Sequence, residues 1–272
     1  MASVTARKFE EENENKVEAL HKFNLSIHAL IESSQSQHGL RHSDYSQYRS
    51  YCTRRLSRLR HSKQFRSELS KITVSESKGS GNKSARHAFK PSPYYRDDSL
   101  ASKIATKNEN FMLVELFSAE RSWCHSLELK ANYDNLKSSG GGKSKKQGSR
   151  GHFMQRLKRA VQFASRLQVM TESAADERTI VEAKAYATWM KGNLYLEKSD
   201  YQSAYVNYGT AHAICLELAQ GYSTVTGAQE DNKASLEMRD YFLARAENSL
   251  EPLLKFCLFE LKVRLCFAVL WR

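Results

Sequence analysis

The sequence predicts an all-α protein, and three observations carry that prediction. Apolar residues recur at steps of three and four in each ordered segment; clusters rich in Gly, Ser and Pro separate those segments; and no run alternates apolar with polar residues as a half-buried strand would. Over 272 positions the chain is 40% hydrophobic, enough to build a core of one large or two small domains. The expected architecture is a stack of antiparallel helices carrying two disordered insertions.

Residues 1–14 are polar and acidic without an apolar run, so they read as a disordered tail with no secretory signal. A helical domain then spans residues 15–250. Val17, Leu20, Phe23, Ile27, Leu30 and Ile31 form a first amphipathic stripe. Gly39 suits a C-terminal stop, and Ser43 or Asp44 suits the N-cap of the next helix. That second helix runs to Arg66, with Tyr45, Tyr48, Cys52, Leu56 and Leu59 on its packed face. Residues 67–107 turn to Ser, Lys, Gly and Asn, with Pro91 and Pro93, and read as a flexible insertion. Order returns at Asn110, where Leu113, Leu116, Glu120, Trp123 and Leu127 lie along one line. Residues 137–151 read as a second flexible insertion. A fourth helix follows, with Phe153, Leu157, Ala160, Ala164 and Leu167 as its core face.

From Ala185 to Leu218 the pattern becomes tetratricopeptide-like. Gly192, Tyr195, Tyr201, Ala204, Tyr208 and Ala211 alternate small and aromatic residues so that two helices can cross closely. One such repeat cannot stand alone, so the preceding helices are expected to stack on it. Ala234 to Leu250 forms a last helix, interrupted by Pro252. Residues 251–272 form a divergent apolar tail, broken by Lys255, Glu260, Lys262 and Arg264 and therefore too charged for an ordinary membrane span.

Charge supplies the functional signal. The chain is +12, yet residues 41–66 hold eight Lys or Arg against Asp44, and residues 137–166 hold nine against no acid. These windows total +16, so the rest of the chain is net negative. Basicity confined to two patches points to a polyanion partner. The first window offers Arg41, Arg49, Arg54, Arg55, Arg58, Arg60 and Lys63; the second offers Arg156, Lys158 and Arg159 on the solvent side of a packed helix. Arginine dominates, and its planar fork suits phosphates and stacking on bases. Tyr51 lies off the packed stripe and is the aromatic best placed to stack on a base.

Enzyme chemistry finds no constellation. His38 and His42 are four apart, but HGLRH lacks a metalloprotease glutamate and a third ligand, so no metal is expected. Gly142, Lys143 and Ser144 echo the end of a phosphate loop without its first glycine or a preceding strand. Glu115 and Glu120 sit among hydrophobics and read as capping or ion-pairing groups. The five cysteines are widely spaced and read as reduced, buried thiols of a cytosolic protein. No cofactor is expected.

Four stretches carry a family resemblance: SQSQHGLRHSDYSQYRSYCTRRLSRLR, SAERSWCHSLELK, HFMQRLKRAVQFASRL and VEAKAYATWMKGNLYLEKSDYQSA. Together, over about residues 20–250, the chain resembles the N-terminal RNA-binding domain of the 68-kDa subunits of the eukaryotic signal recognition particle. The resemblance implies a tetratricopeptide-like domain that binds the particle RNA near its central junction. It also implies an arginine-rich motif, here Arg54, Arg55, Arg58 and Arg60, that enters an internal loop and bends the RNA. Implied partners are that RNA, the 72-kDa subunit and the other particle subunits. The implied setting is a cytoplasmic particle, with a nucleolar stage during assembly, that reaches the endoplasmic reticulum without its own membrane anchor. The two insertions and the tail LFELKVRLCFAVLWR depart from the family, whose longer C-terminal half holds the 72-kDa subunit's binding region. The alternative is a tetratricopeptide-type adaptor that grips peptides without specific RNA; such a protein would show several repeats and a carboxylate-gripping concave face, whereas here one imperfect repeat is visible and charge is concentrated outside it.

Overall fold

The computed structural model describes residues 22–77, 98–139, 143–223 and 229–270, without the side chains of 71–77, 143–146, 229–232 and 264–270. Its helices are α1 Ile27–Gln37, α2 Tyr45–His61, α3 Lys63–Ser77, α4 Asp98–Ala105, α5 Asn110–Ser138, α6 Lys143–Ala174, α7 Glu177–Glu197, α8 Tyr201–Ser223, α9 Gln229–Ala244 and α10 Glu251–Leu270. A 3-10 turn, Leu40–His42, precedes α2, and a π turn, Arg245–Leu250, joins α9 to α10. Among the described residues there is no strand, only an isolated bridge between Phe23 and Ala175. The all-α stack is as expected. The tail at 1–14 lies outside the described residues.

Helix α5 is the axis of the N-terminal half. Its residues 111–120 are all buried, because α2, α6 and α7 surround it. Helices α7 and α8 then form the anticipated close pair. Gly192 is buried, and a Cβ there would lie 2.5 Å from Cε1 of Tyr208, so the glycine makes room for the ring. Ala204, Tyr208 and Ala211 are buried along the same seam. Helices α9 and α10 close the stack against α8.

Of the first predicted stripe, Val17 and Leu20 lie outside the described residues, and Phe23 precedes helix α1. Phe23 donates its N–H to the Ala174 carbonyl at 2.8 Å, and its own carbonyl accepts from Asp176 N–H at 3.0 Å. The Thr179 hydroxyl both accepts from Leu25 N–H and donates to the Leu25 carbonyl. Residues 22–26 are therefore non-helical, with Phe23 and Leu25 held by the α6–α7 turn, a tertiary pairing that outweighs local helical periodicity.

The basic helix also divides. Gly39 takes φ +96°, the left-handed conformation a stop requires, and Asp44 caps α2 by accepting from Gln47 N–H at 2.8 Å. At Ser62 the backbone turns extended, and its hydroxyl accepts from Phe65 N–H to start α3. Phe65 then stacks on Phe111 with centroids 4.3 Å apart.

Of the two expected insertions, residues 78–97 and 140–142 lie outside the described residues, and helices occupy the described parts on either side. Within 67–107, α3 continues to Ser77, and α4 packs against α6 with Ala101, Ile104 and Ala105 buried. Within 137–151, α5 extends to Ser138 and α6 begins at Lys143. Pro252 does not end the helical run either. The π turn before it shifts the hydrogen-bond pattern, with Glu251 N–H on the Ala246 carbonyl, and Pro252 takes the second position of α10, where its missing N–H costs little. The tail accordingly continues as α10 and packs on α8, with Cys257 buried and Phe256 edge-on to Tyr201.

Candidate nucleic-acid interface

Helices α2 and α6 both run antiparallel to α5, one on each flank. Along α2, Tyr45 meets Cys124, Arg49 meets Glu128, Tyr48 meets Glu120 and Arg60 meets Ser118. Along α6, His152 meets His125 and Arg166 meets Glu115. The two basic windows, about a hundred residues apart in the chain, thus become parallel rails over one face of α5.

The helix period sorts the cations into those held at the rails and those projecting. Arg49 forms an ion pair with Glu128 at 2.8 Å. Arg60 donates to Ser118 Oγ at 3.4 Å. Arg55 lies 5.6 Å from the centroid of the Phe117 ring. On α2, Arg54 and Arg58 are exposed, with Arg41 before the helix and Lys63 after it also exposed. On α6, Lys158 and Arg159 are exposed, while Arg156 is half-buried. Arg159 shares a line with His152, Arg156 and Arg166 at helical spacing; Lys158 is one residue off it.

Tyr51 is not a free stacking platform. His38 already stacks on its ring at 3.7 Å, Phe117 approaches it edge-on at 6.3 Å, and its hydroxyl is 3.3 Å from Ser34 Oγ. It ties α1 and its C-terminal cap residue His38 to α2, fixing the rail on which the arginines stand.

Two carboxylates on α5 lie in this region. Glu115 is fully buried with Arg166 at 3.7 Å; burial pushes its carboxyl up to about 8, against the pull of Arg166 and Arg60. Glu120 faces inward and accepts from Tyr48 and Tyr186 at 2.7 Å each and from Gln35 at 2.8 Å, joining α2, α7 and α1. Its expected role as a cap or ion-pairing group gives way to that of a buried acceptor.

Sequence reasoning missed the α5 surface between the rails. His125 and Arg121 are one turn apart on α5, and His152 and Arg156 one turn apart on α6. The four-residue spacing of each pair was visible; that the pairs face one another was not. Burial, together with Arg156, Arg49, His152 and Arg121, holds the His125 imidazole down at about 4.

Among curated proteins, the signal recognition particle subunit SRP68 of Dictyostelium discoideum is 28% identical over 241 residues, covering 89% of this chain and 33% of the relative. That of Drosophila melanogaster is 32% identical over 184 residues, covering 67% of this chain and 26% of the relative. The chain therefore spans about a third or less of the length of these relatives, which are named as a particle subunit and not as an enzyme. The solved SRP68-RBD of Chaetomium thermophilum shares the fold, with a TM-score of 0.59 at 20% identity over 87% of this chain and 90% of that one. The family model for RNA-binding signal recognition particle 68 matches residues 40–265, from the turn before α2 well into α10 and past the predicted boundary at residue 250. With both rails and their α5 bed inside that match, the chain belongs to the RNA-binding signal recognition particle 68 family.

Proposed function

We propose that this chain binds signal recognition particle RNA across the face formed by α2, α5 and α6, bends it, and so supports targeting of secretory ribosomes to the endoplasmic reticulum. The observation that carries the reading is the convergence of two separate basic windows on one side of α5, in a chain whose remaining residues are net negative. Arg54 and Arg58 project from α2 and enter an internal loop; Arg55 and Arg60, partly held by Phe117 and Ser118, set the helix that delivers them. Arg41, Lys63, Lys158 and Arg159 anchor the phosphate backbone. Tyr51 positions the rail. An irregular, opened groove is the fitting target, since a regular A-form major groove admits side chains poorly.

In this reading the protein is a structural subunit working in the cytoplasm, after a nucleolar assembly stage, beside the 72-kDa and other particle subunits. Among the described residues no helix is long and apolar enough to cross a membrane.

A salt titration of binding to the particle RNA tests the proposal. With about five phosphates neutralised, the log-log slope is expected near −3.5 to −4.5. A slope near zero, or equal affinity for an unrelated duplex at every salt concentration, would overturn it.

A further inference from the structure

We propose that His125, His152, Arg49, Arg121 and Arg156 form a phosphate site between the rails, where docking of an RNA backbone phosphate places a proton on His125. The inference rests on the RNA-binding reading above and assigns it a specific cluster of side chains and a chemical signature.

The geometry is that of an anion site. His125 on α5 and His152 on α6 meet edge-on with centroids 6.0 Å apart. Arg121 and Arg156 each lie one helical turn from one of these rings, and Arg49 reaches in from α2. Its partner Glu128, also on α5, keeps Arg49 in place. Arg156 is half-buried, with its Nε shielded from solvent like that of Arg49, so both guanidiniums are held against the helices rather than free to swing away.

Nearer Glu115 the α5–α6 seam is closed, because that carboxylate is fully buried beside Arg166. At the other end His125, Arg121 and Glu128 are half-exposed, so a backbone phosphate can reach them. Without an anion, burial and the surrounding cations keep the imidazole of His125 neutral, at about 4. A neutral imidazole offers one donor; its cation offers two. A phosphate monoanion reverses the local field and favours the protonated ring. The proton comes from solvent, so binding and protonation are linked.

The bound-state value lies above the free-state value, so affinity rises as pH falls through the bound-state value and levels off near the free one. A return to the ordinary imidazole value of about 6.5 gives binding about tenfold tighter at about pH 5.5 than at about pH 7.5. The experiment is calorimetry of the chain with signal recognition particle RNA at about pH 6, in buffers of different ionisation enthalpy, together with affinities across that pH range. The parent is expected to take up a fraction of a proton, whereas His125→Gln should lose that uptake and flatten the pH profile while keeping a steep salt slope. The buffer comparison on the unaltered protein is independent of any folding defect in the variant. Salt-dependent RNA binding with no proton uptake, or with the same pH profile in parent and His125→Gln, overturns this site and leaves the general RNA reading standing. Absence of RNA binding at any pH overturns both.

Discussion

Glu120 is a carboxylate that no solvent reaches, and three donors from three other helices account for its presence in the core. Glu120→Ala would strand the Tyr48 and Tyr186 hydroxyls and the Gln35 amide. A loss of about 3–5 kcal/mol in urea unfolding is expected, within the range for breaking a buried charged network. Glu115 behaves differently, because Arg166 at 3.7 Å does not offset the burial that pushes its carboxyl up to about 8. Between the ordinary carboxylate range and that value the folded state binds more protons than the unfolded chain, so stability falls as pH rises through this window. Glu115→Gln should remove that slope. Relative to the parent, the variant should gain about 1–3 kcal/mol between pH 5 and pH 8, given about 1.4 kcal/mol per tenfold change in equilibrium. Parallel melting curves for parent and variant over that range would refute this assignment.

At the scale of elements, the α7–α8 crossing depends on a glycine the repeat pattern identifies. Gly192→Ala drives a methyl to within 2.5 Å of a ring that cannot easily turn away, since the Tyr208 hydroxyl donates to Asn193 Oδ1 at 2.8 Å. Overpacking of this kind costs about 1–3 kcal/mol, more than alanine's helical advantage of about 1 kcal/mol over glycine. A net fall in melting temperature is therefore expected. Helix α4 makes the opposite point about legibility. Its eight residues lie in a stretch whose composition reads as flexible, yet Ile104 is 1% exposed and packed in the main core. Ile104→Ala should cost about 2–5 kcal/mol, measured by urea unfolding, as for other large-to-small changes in a core. An unchanged midpoint would mean that α4 is dispensable, as the sequence alone suggests.

The whole molecule turns two charge runs into one surface. If the projecting arginines supply only charge, Arg54→Lys with Arg58→Lys leaves affinity for particle RNA unchanged. If they enter a loop, planar forked contacts are lost; each is worth about 1–3 kcal/mol when it reads a base, and affinity falls tenfold or more. The loop-entry reading expects the double variant to lose preference for the particle RNA, and the bend measured by fluorescence transfer, while retaining its salt slope and its affinity for an unrelated duplex. Equal affinity with the bend intact would reduce α2 to a charged edge. The sequence by itself determined the all-α class, the buried stripe of α2, a cap at Ser43 or Asp44, the Gly192–Tyr208 seam and the two basic windows, because each is written in residues near one another in the chain. Tertiary structure alone decided that both windows flank α5, that Tyr51 is occupied by His38, that Phe23 pairs with the α6–α7 turn and that His125 faces His152. Those contacts join residues from 13 to more than 150 positions apart, and local periodicity says which face of a helix is apolar but not which helix will cover it.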